Sequence, residues 1–204
     1  MPRISDERRA ARREQIVRAA LRCGIRSGLD GMTMAEVVEE SGLSAGAVYG
    51  YFDSKTELIA AVVDSRMDDV VQILTEAVAA PEVPSIADVM RSIIRSLERV
   101  AASEDGDLTV MLMLSWAEAS KDASIRKLIR PRLRAVLDAW TELARRHQAA
   151  GTLDPGVAAS DLARVLHSSV PGYLLLRVAG EAPRPQRFAA GWEALTEWSP
   201  TAKK

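Results

Sequence analysis

Hydrophobic positions recur every three or four residues along almost the whole chain, and nowhere do they alternate with the period of a strand. The pattern predicts an all-α protein. Ile16, Val17, Ala20, Leu21, Gly24 and Ile25 mark one face of a first helix from about Asp6 to Ser27, which Gly28 and Gly31 end. Thr33 reads as an N-cap, and Glu36 completes a capping-box pattern at the start of a short helix, Met34–Glu40. Ser41, Gly42 and Leu43 form a tight turn, and Ser44 caps a third short helix from Ala45 to about Tyr51. A long helix follows from Lys55 to about Ala80, with Ile59, Val62, Val63, Met67, Val70, Val71 and Leu74 on its apolar face.

Pro81 and Pro84 break the chain there. A helix from Ser85 to about Ala102 turns Ile86, Val89, Met90, Ile93, Ile94 and Leu97 inward. Asp105, Gly106 and Asp107 make a turn. Leu108–Ser120 is apolar on more than one face, which predicts a buried central helix. Asp122 opens a helical region to Ala150 with a kink or break at Pro131, and residues 151–156 are a loop. Ala158–Val178 is expected to bend at Pro171 and Gly172. A last helix lies near Gln186–Glu197, and the tail from Ser199 frays.

Composition narrows the class. The 204 residues are 48% hydrophobic and 27% charged with a net charge of −1, which excludes disorder as the main state. The lone cysteine, Cys23, excludes a disulfide framework and a Cys-rich zinc site, and it reads as a buried, inert thiol. No apolar run reaches the roughly 18 residues of a membrane helix. No secretory signal is visible, so a soluble cytoplasmic protein without membrane contact is expected. His147 and His167 have no metal-ligand spacing, and no phosphate, dinucleotide or nucleophile motif occurs. Neither a cofactor, a metal nor a catalytic residue is expected, and the chain reads as a non-enzyme.

The net charge hides an asymmetry. Residues 1–26 carry eight arginines against three acids, while the other 178 residues carry a net −6. One end is therefore suited to a polyanion. Arg18, Arg22 and Arg26 recur every four residues and read as a solvated stripe. Arg3, Arg8 and Arg9 lie in a leader and are the better candidates for phosphate contact.

Two short helices with a glycine turn, behind a basic first helix, make a helix-turn-helix pattern. The series Gly46-Ala47-Val48-Tyr49, then Tyr51-Phe52, Ser54-Lys55 and Leu58 sharpens it. Residues 33–58 resemble the DNA-binding signature of the TetR family of bacterial transcriptional regulators. Each position also has a physical reason. Gly46 has no side chain, so the start of the recognition helix can approach DNA closely. Tyr49 and Tyr51 can give a hydroxyl to a phosphate or a ring to a thymine methyl. Val48 and Phe52 lie four apart and read as core, so at least one of the two tyrosines is expected outside. Lys55 joins its ammonium to the positive end of the long helix, which favours a phosphate. Thr33 and Ser44 are caps that also lie beside the DNA backbone in the resemblance. Ala45 and Gly50 stand where the family often has longer or basic residues. The expected DNA-binding set is Arg3, Thr33, Ser44, Ala45, Gly46, Tyr49, Gly50, Tyr51 and Lys55.

The resemblance implies an N-terminal three-helix helix-turn-helix DNA-binding domain, residues 1–55. It is followed by a helical-bundle ligand-binding and dimerisation domain, residues 56–204. Met90, Met111, Leu114, Trp116, Trp140, His167 and Tyr173 are candidates to surround a small-molecule effector, and each taken singly reads more readily as ordinary core. Leu162, Leu166, Ser169, Tyr173 and Leu176 recur at seam spacing, as do Phe188, Trp192 and Leu195. These two seams suit a two-fold dimer interface, or packing on their own chain. The implied protein is a dimeric repressor that binds a pseudo-palindromic double-stranded operator and is released by an apolar or amphipathic effector. The alternatives are an activator on the same fold, or an α-helical carrier or enzyme without a DNA role.

Overall fold

In the computed structural model, residues 6–102 and 107–196 are described, apart from the side chains at 63, 65–67, 100, 108 and 111. Residues 105 and 106 of the expected turn and the tail from Ser199 lie outside that range. Among the described residues there are nine α-helices and no strand. They are α1 (Asp6–Gly31), α2 (Met34–Ser41), α3 (Ala45–Tyr49), α4 (Lys55–Ala79), α5 (Ile86–Ala101), α6 (Leu108–Lys121), α7 (Ala123–Ala149), α8 (Ala159–Val178) and α9 (Pro185–Thr196).

The local signals act as their chemistry requires. Gly28 leaves helical geometry at φ 74°, so the long run of α1 stops there and a short turn leads on to Gly31. Thr33 and Glu36 form a complete capping box: the Thr33 side chain accepts from Glu36 N, and Glu36 Oε2 accepts from Thr33 N at 2.8 Å. Such a cap is worth about 1 kcal/mol. Gly42 closes α2 at φ 67°, the left-handed geometry that lets α3 turn away.

Three expectations change. Pro131 and Pro171 lie inside continuous helices, because the neighbouring turns hold the backbone where the missing N–H leaves one carbonyl unbonded. The recognition helix stops at Tyr49, where the Gly50 N–H bonds back to Gly46 O. The fully buried central helix is also corrected. Thr109, Leu112 and Ser115 of α6 are buried, but Met113, Leu114 and Trp116 are half-exposed.

The chain forms two compact units, residues 1–66 with 100–130, and residues 67–99 with 131–204. These units cut across the segments 1–55 and 56–204. In the first, α1 packs against both α2 and α6. Its core contains Ile16, Val17, Ala20, Leu21, Met32, Val37, Val48, Phe52 and Leu58. The second has a helical core in which Leu74, Met90, Ile93, Ile94, Trp140 and Tyr173 are fully enclosed or nearly so.

Candidate functional site

The helix-turn-helix is built around α3. Ser44 accepts from Ala47 N and opens the helix, while Val48 and Phe52 anchor its inner side at 0% and 1% exposure. The Arg13 guanidinium lies 5.2 Å from the Phe52 ring centroid and covers that anchor. The other face is free: Ser44, Ala45, Gly46, Tyr49 and Gly50 are exposed, with Tyr49 at 48%. Tyr51 is half-buried, so the tyrosines divide as their spacing predicts.

Gly46 is informative. A Cβ there would meet nothing within 4 Å, and its φ is not in the left-handed region. The chain's own packing therefore does not require glycine at that position. Gly50 differs, since a Cβ there would come to 3.3 Å from Gly46 O.

Lys55 opens α4, and its Nζ donates to the Asp30 carbonyl at 2.8 Å. The ammonium is thus held beside the end of α1, three residues before the exposed Thr33 cap. Arg3 lies outside the described residues. Arg8 and Arg9, expected in a leader, belong to the exposed first turns of α1.

The arginine stripe of α1 is not simply solvated. Arg22 Nε donates to Glu40 Oε1 at 2.7 Å, and Arg26 Nη1 donates to Glu40 Oε2 at 3.1 Å. The Arg22 hydrogen bond, then that of Arg26, holds the Glu40 carboxyl below its usual range. Gln15 Nε2 adds a bond to Ser41 O at 2.7 Å. Sequence reading missed Glu40 and Gln15, because nothing in the spacing says which charged residues of α1 and α2 will face each other. Cys23 is buried beside this cluster, and burial raises its thiol pKa.

The expected effector residues fall in both compact units. Leu114 and Trp116 lie on α6 in the first unit, and the Met111 side chain is outside the described residues. Met90, Trp140 and Tyr173 are core residues of the second unit, at 0–2% exposure. The Tyr173 hydroxyl donates to Glu98 Oε1 at 2.9 Å, and burial followed by that bond pushes its pKa up to about 12. Trp140 Nε1 and the Nδ1 of half-buried His167 have no hydrogen-bond partner among the described residues. An open concavity of about 350 Å³ lies elsewhere in this unit, beside His147, Thr152 and Glu193.

The residues expected as a seam on α8 divide between the core and the surface. Leu166 and Tyr173 point into their own core, and Leu162 and Ser169 are half-buried. Val165 and Leu175 are instead 59% exposed, and Ser168, Gly172 and Leu176 extend that outer face. On α9, Phe188 packs edge-on against Tyr173 with ring centroids 5.1 Å apart, and Trp192 is half-buried. Leu195 is the residue of that seam that points outward.

Among the described residues no group of three His, Cys, Asp or Glu is placed to hold a metal ion, and no helix is long and apolar enough to cross a membrane. An all-helical chain with an exposed recognition helix on a capped, glycine-turned scaffold has the architecture of a DNA-binding transcriptional regulator. Residues 16–62 match the family described as bacterial regulatory proteins, tetR family. That segment of the chain, α1 through the start of α4, is therefore similar to the DNA-binding region of this family.

Relatives and solved structures agree. The HTH-type transcriptional repressor Rv1474c of Mycobacterium tuberculosis is 27% identical over 201 residues, covering 93% of this chain and 94% of that protein. The HTH-type transcriptional regulator YfiR of Bacillus subtilis is 37% identical over 68 residues, and the match spans only 33% of each chain. SmeT in its triclosan complex superposes with a TM-score of 0.76 at 24% identity, covering 91% of this chain and 90% of that one. SmeT is also described as the repressor of the Stenotrophomonas maltophilia multidrug efflux pump SmeDEF, a second structure with a TM-score of 0.72 at 23% identity, covering 94% and 95%.

Proposed function

We propose that this protein is a cytoplasmic, ligand-responsive repressor that binds a pseudo-palindromic operator as a homodimer. Residues 1–55 grip DNA, and residues 56–204 bind the effector and dimerise. The observation that carries the reading is the exposed face of α3, where Gly46 is glycine without any packing reason. A duplex surface pressed against the start of α3 supplies that reason. Tyr49 then meets a thymine methyl or a phosphate, Thr33 and Ser44 flank the backbone, and Lys55 adds charge. Ala45 and Gly50 provide no base-edge donor from their side chains, so DNA shape carries part of the specificity.

The dimer surface in this reading is the outer face of α8, Val165, Ser168, Gly172 and Leu176, together with Leu195 of α9. Two copies related by a two-fold axis place their recognition helices in major grooves about 34–36 Å apart, or a multiple of that spacing. The effector is a small apolar or amphipathic molecule, a class to which triclosan, held in complex by SmeT, also belongs. Unpartnered Trp140 Nε1 favours an effector with a hydrogen-bond acceptor, since an unpaired buried donor costs about 1–3 kcal/mol. Flexible Met90 suits an adaptable wall. The packing of α6 against α1 offers a route from effector to DNA inside the first compact unit.

Fluorescence anisotropy with duplexes from the DNA flanking the protein's own coding region tests this reading. Tight, salt-sensitive binding of one palindromic fragment, resistant to competitor DNA, is expected. Effector must weaken that binding, and operator must weaken effector binding by the same factor. Equal effector affinity with and without operator would overturn the regulatory mechanism.

A further inference from the structure

The concavity in the second unit has a definite chemistry. Part of its lining is apolar and buried: Ile86 and Ala87 are 3% exposed, and Val83 and Ala150 also line it. At about 350 Å³ it falls within the usual range for small-molecule sites.

Its electrostatics point one way. His147 from the last turn of α7 faces it, as do Glu193 and Thr196 from α9. Helix C-termini carry roughly half a negative charge. Glu193 adds a full carboxylate that is exposed and has no ion-pair or hydrogen-bond partner among the described residues. The Thr196 hydroxyl donates to Trp192 O at 2.8 Å, which leaves its oxygen lone pairs as acceptors.

Of the groups that would oppose a cation, His147 is uncharged and the others are tied to partners of their own, although the Arg146 charge still reaches the His147 ring. Burial lowers the His147 pKa and keeps the ring neutral. Its Nε2 lies 3.1 Å from Pro84 O, and Nδ1 lies 2.8 Å from the Thr152 hydroxyl, which donates to His147 O at 3.0 Å. The first turn of α5 brings a positive helix end, but Asp88 sits on it, bonded to Ser85 and paired with Arg91. The Arg146 guanidinium, next in sequence to His147, is bonded to the carbonyls of Ala77, Val78 and Pro81.

We propose that this concavity binds a small protonated primary amine with an apolar body. The ammonium is held by Glu193 and Thr196, and the body lies over Ile86 and Ala87. The site is separate from the residues assigned above to the effector and does not depend on them.

The test is titration of the full-length protein at neutral pH with phenethylammonium and with 2-phenylethanol, its neutral counterpart of the same shape. The backbone amides of Ala150 and Thr152 are followed by NMR. Saturable shifts with phenethylammonium are expected, with affinity about fivefold or more above that of the alcohol. Glu193→Gln should remove that preference while leaving the thermal midpoint and operator affinity unchanged. Absence of saturable shifts, equal affinity for the two probes, or an undiminished preference in Glu193→Gln overturns the proposal. Because binding is read directly, failure here leaves the repressor reading intact, and loss of operator binding leaves this site intact.

Discussion

The Lys55 ammonium donates to the Asp30 carbonyl oxygen at 2.8 Å, joining residues 25 positions apart. The bond fixes a cation where α4 begins, at a carbonyl three residues before the cap of α2. A lysine held this way loses less side-chain entropy on meeting a phosphate than a free surface lysine. Lys55→Met should therefore act on both fold and binding. Stability should drop by about 1 kcal/mol in thermal or urea unfolding. The slope of log affinity against log salt should shrink by about one phosphate contact. An unchanged salt slope would remove Lys55 from the interface.

Gly46 separates folding from function. Gly46→Ala places a methyl in open space and improves helix propensity, so stability should rise by up to about 1 kcal/mol. Operator affinity should nevertheless fall, because the methyl occupies the closest approach to DNA. Tyr49→Ala should cost about 1–3 kcal/mol of operator binding with little change in midpoint, as the side chain is largely outside the core. If both variants bind operator as the wild type does, the face of α3 does not read DNA.

The two histidines predict the acid behaviour. Burial lowers both pKa values, so the folded state favours neutral rings at His147 and His167. In a window below the unfolded value near 6.5 the unfolded chain binds more protons than the native one. The stability the neutral rings provide is complete above that value and is lost as pH falls through the depressed folded values. The thermal midpoint should therefore decline as the pH falls below about 6.5. His167→Phe should flatten part of that decline without costing a hydrogen bond at Nδ1, which has no partner among the described residues. A decline of equal steepness in that variant would assign the effect elsewhere.

Two residues next to each other on α8 should behave oppositely. Val165 is 59% exposed and Leu166 is 4% exposed. Val165→Arg should shift sedimentation toward monomer and abolish operator binding while leaving helicity intact. Leu166→Ala should instead destabilise each chain by about 2–5 kcal/mol, because it opens a cavity in the core. A Val165→Arg variant that stays dimeric would move the dimer surface off this face.

The sequence determined the helices and the helix-turn-helix. Thr33 with Glu36, Gly42, and Ser44 act on their own neighbours within a few residues, so spacing alone fixes what they do. The same holds for Val48 and Phe52, whose four-residue separation put them on one buried face. Only the tertiary structure decided which way α8 is turned. A repeat of three and four permits seams on adjacent faces, and the choice between Leu166 and Val165 depends on what the rest of the second unit leaves uncovered. Only the fold paired Arg22 and Arg26 with Glu40, closed Met90 and Trp140 into the core, and left Glu193 facing a concavity. Those relationships join residues far apart in the chain. They follow from the packing of whole helices, which the period of a single helix does not contain.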